Sequence, residues 1–322
     1  MVTLELIESF DGLAKFLPQW SHFLTVIRPP TPFQTLQWLL PWGSHFASRR
    51  LYVMVFRVND SVVGILPCFL HDWNGRRQLT IMGTGLSDYL DPVFDPRYSE
   101  CNASVLAAHL ERAPEWEVCD WQDLSAGTPL AILGPTCTDV PCTAVRLSAS
   151  FDQFISGRPH GLRRNLRRYR DKLESLGRLQ FVASETADAC LLDALVQLHR
   201  ARWQRSSEPG IIDQNRAEAF IREAARSLAG CGMLRLFALY LDARIIAVIL
   251  ALRHSTTIFS YLSAFDPEYE RFGCGRDLLG RAFEYAHTNA YRYWNFLRGE
   301  ENYKITWGAE IIQKCRLTLS RA

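Results

Sequence analysis

Reactive side chains in this chain gather in a few short stretches. FLRGEENYKITWGAE, residues 296–310, places Arg298, Gly299, Glu300 and Glu301 directly behind an aromatic run, so a charged loop follows a strand end. Open α/β sheets put their chemistry at such ends. Tyr303, Lys304 and Trp307 follow at a spacing that shares one face of a helical turn. Lys304 is one of four lysines against 32 arginines, which points to a need for a compact, titratable ammonium. The competing reading makes Lys304 a cap on the loop and pairs Arg298 with Glu300 or Asp91. In DPEYERFGCGRDLL, residues 266–279, Gly273 and Gly275 open a helical pattern. Backbone N–H groups of Cys274, Gly275 and Arg276 can there face an anion, and the helix dipole adds to the attraction, which makes a pyrophosphate cradle. SDYLDP, residues 87–92, offers Asp88, Tyr89 and Asp91 just past a strand, either as a polar-substrate loop or as an Asx-rich turn. LHRARWQ sets His199, Arg202 and Trp203 at helical spacing.

Helix and strand periodicities supply the frame for these residues. In the first half, 10–27 and 33–46 read as helices, with Pro41 expected to kink or break the second. A hairpin follows at 51–58 and 62–70, then a strand at 77–82 that runs into the Asp88 loop. A helix at 99–113, a short strand at 116–120 and a strand at 142–147 complete it, with 120–124 read as a strand end. In the second half, 161–178 is an amphipathic helix whose Arg163, Arg164, Arg167, Arg168 and Arg170 cluster on and around its polar face, either solvated or facing a phosphate-bearing partner. After a strand at 179–183 and helices at 189–205 and 215–229, three strands at 233–241, 244–253 and 257–265 read as an antiparallel meander. The glycine-opened helix and an aromatic strand at 291–297 close the order.

At 322 residues the chain is long enough for two domains, predicted at 1–148 and 149–322. A net charge of +2 does not fit wholesale nucleic-acid binding. Apolar runs are too short to span a bilayer, the amino terminus lacks a signal-like pattern, and nine scattered cysteines fit reduced thiols, so a cytoplasmic location is expected. Cysteine and histidine spacings predict no metal site.

The element order, with a glycine turn opening its last long helix, resembles the GNAT acyltransferase fold. SDYLDP, LHRARW and FLRGEENYKITWGAE together resemble the CelD/BcsL-like acetyltransferases, bacterial proteins linked by that name to cellulose or exopolysaccharide production. That family is similar to the Fem-type peptidyltransferases, which carry two GNAT-like domains in tandem. The resemblance implies an α/β (α+β) fold of tandem GNAT-like domains, each a mixed, mostly antiparallel sheet flanked by helices, with a degenerate first domain. It implies transfer of an acyl group from acetyl-CoA or another acyl-CoA to an amine or hydroxyl of a small molecule or sugar precursor. In that scheme Gly273, Cys274, Gly275 and Arg276 hold the pyrophosphate, and Arg271 substitutes for the Gln or Arg expected where Glu270 stands. Lys304 stabilises developing negative charge, Arg298 orients substrate, Glu300 is the general base, and Tyr303 joins the catalytic group. Asp88, Tyr89, Asp91, His199, Trp203 and Trp307 line the acceptor side. The Fem relationship leaves open an aminoacyl-tRNA donor, with the arginine-rich helix contacting tRNA, and Glu270 leaves open a non-catalytic scaffold.

Overall fold

A computed structural model describes residues 1–47, 50–203 and 215–321, and the chain forms two compact units, Met1–Val140 with Gln313–Ala322, and Pro141–Ile312. In the first unit β1 (Val2–Ile7) leads into α1 (Phe10–Val26), which Ser9 caps by accepting the Gly12 N–H at 3.1 Å. Next comes α2 (Leu36–Phe46). This helix continues through Pro41 without the expected break, because Trp38, Leu39 and Trp42 bury its apolar side. Antiparallel β2 (Arg50–Val58), β3 (Ser61–Trp73) and β4 (Arg76–Ile81) follow, the first pair joined by a tight Asn59–Asp60 turn with Asn59 at φ +53°. The two-residue β5 (Val93–Phe94) adds to β3, and α3 (Ser99–Arg112) crosses over to β6 (Val118–Ser125), which runs parallel to β4. Residues 120–124, read as a strand end, lie within β6, with Trp121 fully buried.

The chain then repeats itself. After β7 (Thr136–Arg146), α4 (Phe151–Ser156) and α5 (His160–Glu174), the second unit has β8 (Leu179–Ser184), α6 (Ala189–Trp203) and α7 (Asn215–Ala229). Antiparallel β9 (Leu234–Leu241), β10 (Arg244–His254) and β11 (Thr257–Phe265) follow, and α8 (Cys274–Thr288) crosses over to β12 (Tyr293–Arg298), parallel to β11. The short α9 (Asn302–Thr306) and β13 (Glu310–Ser320) end the chain. Strand, two helices, three antiparallel strands, crossover helix, parallel strand: this order occurs twice, as tandem GNAT-like domains require. Its second copy packs Phe283 between Trp294 (centroids 4.6 Å apart) and Trp307 (4.3 Å), near-parallel stacks worth about 0.5–1.5 kcal/mol each beyond their buried area.

Each unit's sheet borrows its last strand from the far end of the other sequence half. The sheet orders are β1-β2-β3-β4-β6-β13 in the first unit and β7-β12-β11-β10-β9-β8 in the second. β13 pairs antiparallel with β6 from Lys314 opposite Ser125 to Ser320 opposite Val118, while β7 pairs with β12 from Arg146 opposite Tyr293 to Cys142 opposite Arg298. The division expected at 148 therefore falls at 140, and residues 313–322 belong with the first unit.

Candidate active site

The two parallel strands of the second unit part company early. β11 and β12 pair only at Thr257–Tyr293, Ile258–Trp294 and Phe259–Asn295, although β11 runs on to Phe265 and β12 to Arg298. Irregularities in both strands open this wedge. The β10 register steps from Leu250–Leu262 to Ala251–Ser260, which sets a bulge at Tyr261. On β12 the register with β7 shifts between Asn295 and Leu297, Leu297 takes φ +63°, and its N–H donates to the Asn295 side chain at 2.8 Å. Bulges of this kind re-aim backbone groups beside functional sites. The outcome is the splayed strand pair anticipated at 257–265 and 291–297, with β11 main chain beyond Phe259 no longer paired to β12.

Beside the wedge lies the glycine turn. A single 3₁₀ turn, Glu270–Phe272, brings the chain to Gly273 at φ +79°, and α8 begins at Cys274. A Cβ at Gly273 would lie 2.3 Å from the Tyr169 ring of α5, so both the backbone angle and the packing demand glycine. Arg276 N–H already donates to Gly273 O at 3.0 Å, which removes it from the expected cradle. Cys274 and Gly275 occupy helix positions whose N–H groups have no acceptor within the helix. The Cys274 thiol is fully buried and pushed up to about 12 by that burial, so it serves as packing and not as a nucleophile. Arg276 is exposed and donates to the Tyr169 hydroxyl at 2.7 Å. Arg271 lies over Phe272 (4.7 Å) and lines an open groove with Leu176, Arg244 and Tyr269.

Contacts within the second unit join this turn to the charged segment. Gly275 abuts the Phe265 ring, to which a Cβ would approach within 3.0 Å. The Arg202 guanidinium, from the end of α6, lies 4.9 Å from the centroid of that ring and bears electrostatically on the Tyr303 phenol. Tyr303 stands edge-on to Phe296 at 6.0 Å. Although its side chain is 45% exposed, its hydroxyl is crowded by neighbouring atoms. That desolvation, helped by Glu301 and opposed by Arg202, pushes the phenol up to about 12. It is therefore a proton donor throughout the neutral range.

Lys304 holds the loop instead of reaching into it. The residue is 2% exposed, and its ammonium donates to Arg298 O (2.5 Å) and Gly299 O (3.2 Å) and pairs with Glu301 (2.8 Å). Those three partners match its three N–H donors. The geometry gives Lys304 a positioning role in place of the expected contact with developing charge. Gly299, at φ +101°, is fixed further by Thr143 Oγ1 on its carbonyl (3.2 Å) and by its own N–H on Pro141 O (2.9 Å). Arg298 and Glu300 are exposed on the clamped loop.

Other expected residues lie elsewhere. Trp307 is a core side chain, 3% exposed and stacked on Phe283, so it does not line a substrate site. His199 is buried within α6, and the side chain of Trp203, the last residue of that helix, lies outside the described residues. In the first unit the Asp91 carboxylate accepts from Ser125 N–H (3.1 Å) and hydroxyl (2.6 Å), a contact across 34 residues and not a local Asx turn. Tyr89 is buried against Phe33 with Lys314 3.9 Å from its ring centre, and Asp88 is half-buried. Phe265 and Asn295 were not singled out by sequence, and Arg202, noted beside His199 and Trp203, was given no role in the site. The polar Asn295 inside the apolar run YWNFL was the one available signal, because a buried amide must find a partner. Among the described residues no group of three or more His, Cys, Asp or Glu could hold a metal ion, and no helix is long and apolar enough to cross a membrane.

Residues 160–305 match the family described as acetyltransferase (GNAT) domain. No curated protein sequence matches the chain. Among solved structures, FemX is similar over 94% of this chain and 96% of its own, with 12% identity and a TM-score of 0.66. L-PGS from Bacillus licheniformis is similar over 93% of this chain and 90% of its own, with 13% identity and a TM-score of 0.61. A tandem GNAT protein from the clavulanic acid biosynthesis pathway covers 99% of this chain and 98% of its own, with 15% identity and a TM-score of 0.55. At such identities the structural likenesses speak to fold. The matched residues run across β8 to β12 and take in the wedge between β11 and β12.

Proposed function

We propose that the chain is an acyltransferase that moves an acyl group, acetyl in the simplest case, from acyl-CoA to an amine or hydroxyl of a small molecule or sugar precursor. The observation that carries this reading is the strand wedge with the glycine turn at its side. An extended thioester lying in the wedge would meet β11 main chain beyond its last pair with β12, where an N–H can stabilise the carbonyl oxygen as it gains charge. Its pyrophosphate would rest on the N–H groups of Cys274 and Gly275. Tyr303, protonated and beside Arg202, would give its proton to the departing thiolate, and Glu300, on the loop clamped by Lys304, would take one from the acceptor. The resemblance of FLRGEENYKITWGAE to CelD/BcsL-like proteins supports an acceptor linked to exopolysaccharide production.

A second reading is favoured by the FemX likeness, which spans nearly both chains: an aminoacyl-tRNA donor in the same wedge. Thermal-shift measurement with acetyl-CoA, longer acyl-CoAs and tRNA separates the two. Stabilisation by an acyl-CoA, followed by label transfer from acyl-labelled donor to an acceptor pool, is the expected result. Salt-sensitive binding of tRNA without acyl-CoA binding replaces the first reading by the second. Silence from every ligand leaves a scaffold.

A further inference from the structure

Arg163, Arg164, Arg167 and Arg168 all lie on the exposed side of α5, and among the described residues none of the four is ion-paired. Arg170, one residue beyond Tyr169, is different: it is committed to Asp277 (3.3 Å) and Glu284 (3.2 Å) on α8. The pairs 163/167 and 164/168 set like charges four residues apart, which weakens a helix. Arg163 and Arg164 also sit near the start of α5, where the dipole is already positive, and its first turn holds no acid to offset them. Such a face is built for an anion supplied from outside the fold.

Its position narrows the kind of anion. The Arg168 guanidinium lies 5.4 Å from the Tyr169 ring centre and that of Arg276 lies 5.5 Å from the same ring, which itself packs against Gly273 at the start of α8. The arginine face thus begins beside the α8 N–H groups and runs away from them along α5. One ligand touching both must carry phosphates at two places separated by about one to two helical turns, roughly 5–10 Å. A bilayer fits poorly, because α5 turns Leu162, Leu166, Tyr169 and Leu173 inward and keeps no apolar edge beside its arginines to insert.

We propose that this arginine face of α5, adjoining the glycine turn of α8, binds the 3′-phosphate of coenzyme A and so makes the enzyme selective for 3′-phosphorylated donors. The inference rests on the acyl-CoA reading above. Isothermal titration of the full chain with acetyl-CoA and with acetyl-dephospho-CoA, which lacks only that phosphate, tests it. The wild-type protein should bind acetyl-CoA about tenfold or more tightly than the dephospho form, a preference that falls as salt rises. R163Q/R164Q/R167Q/R168Q should bind both at the weaker affinity, and the fourfold Arg→Lys variant should recover part of the difference. An unchanged thermal melt of the glutamine variant establishes that it is folded, as expected for exposed positions. The proposal is overturned if wild type binds the two donors equally, or if the glutamine variant still prefers acetyl-CoA. Failure of wild type to bind either donor overturns the acyl-CoA reading and this inference together, and tRNA retained through the same four arginines would then reassign the face to nucleic acid.

Discussion

An ammonium that already donates to two carbonyls and a carboxylate has nothing left to offer a reacting oxygen, and at Lys304 that accounting decides the role. Lys304→Met should lower stability by about 1–3 kcal/mol, because two carbonyls lose their donor inside the fold. Turnover should fall with it as Arg298 and Glu300 lose their fixed loop. Urea denaturation alongside label-transfer assays checks both, and a variant as stable as wild type would refute the clamp. Composition had marked Lys304 as special among so many arginines, and it is special. What composition could not convey is direction: a side chain one helical turn behind the loop can reach forward to the chemistry or back to the main chain, and only three dimensions distinguish these.

At the scale of elements, α5 and α8 are joined through a buried carboxylate. Asp277 is fully buried in the first turn of α8, held by Arg281 (2.7 Å) and by Arg170 of α5 (3.3 Å). Asp277→Asn should cost about 3–5 kcal/mol, since it leaves two guanidinium groups facing a neutral amide. Arg170→Ala should cost clearly less, because Arg281 keeps the carboxylate paired. Equal losses in chemical denaturation would show that the seam does not depend on Asp277. Most of these elements were readable from periodicity: α5 from its leucines, the β9–β10–β11 meander from its short separators, and α8 from its opening glycines. β1 and β13 were missed although VTLELI and KCRLTLS alternate, because both lie against the chain ends. The wedge was anticipated only through family resemblance. Its cause is two bulges, and a bulge is a relation between neighbouring strands that no single strand's sequence displays.

For the molecule as a whole, acid should be destabilising well before the carboxylates titrate. Burial pushes His71, His109 and His287 below the ordinary imidazole value of 6.5. The unfolded chain therefore takes up protons near that pH while the folded one does not, and stability must fall as pH drops through and below it. Thermal melts at about pH 7.5 and about pH 5.5 should show a lower midpoint in acid, and His287→Gln should shrink the difference. A midpoint that does not move would mean that these imidazoles are charged in the native protein. Length allowed for two domains, and the chain forms two compact units. The placement of residues 313–322 was not legible, since pairing across almost two hundred residues leaves no local mark.

The return of β13 to β6 also sets an order of events during synthesis. A ribosome delivers residues from the amino end, so β1 to β6 emerge without the strand that completes their sheet and wait while the whole of Pro141–Ile312 is made. At ordinary elongation rates that interval is roughly 10–30 s, long compared with the folding of a single domain. The second unit, whose borrowed strand precedes it in the chain, can mature while the nascent first unit still exposes an open edge along β6.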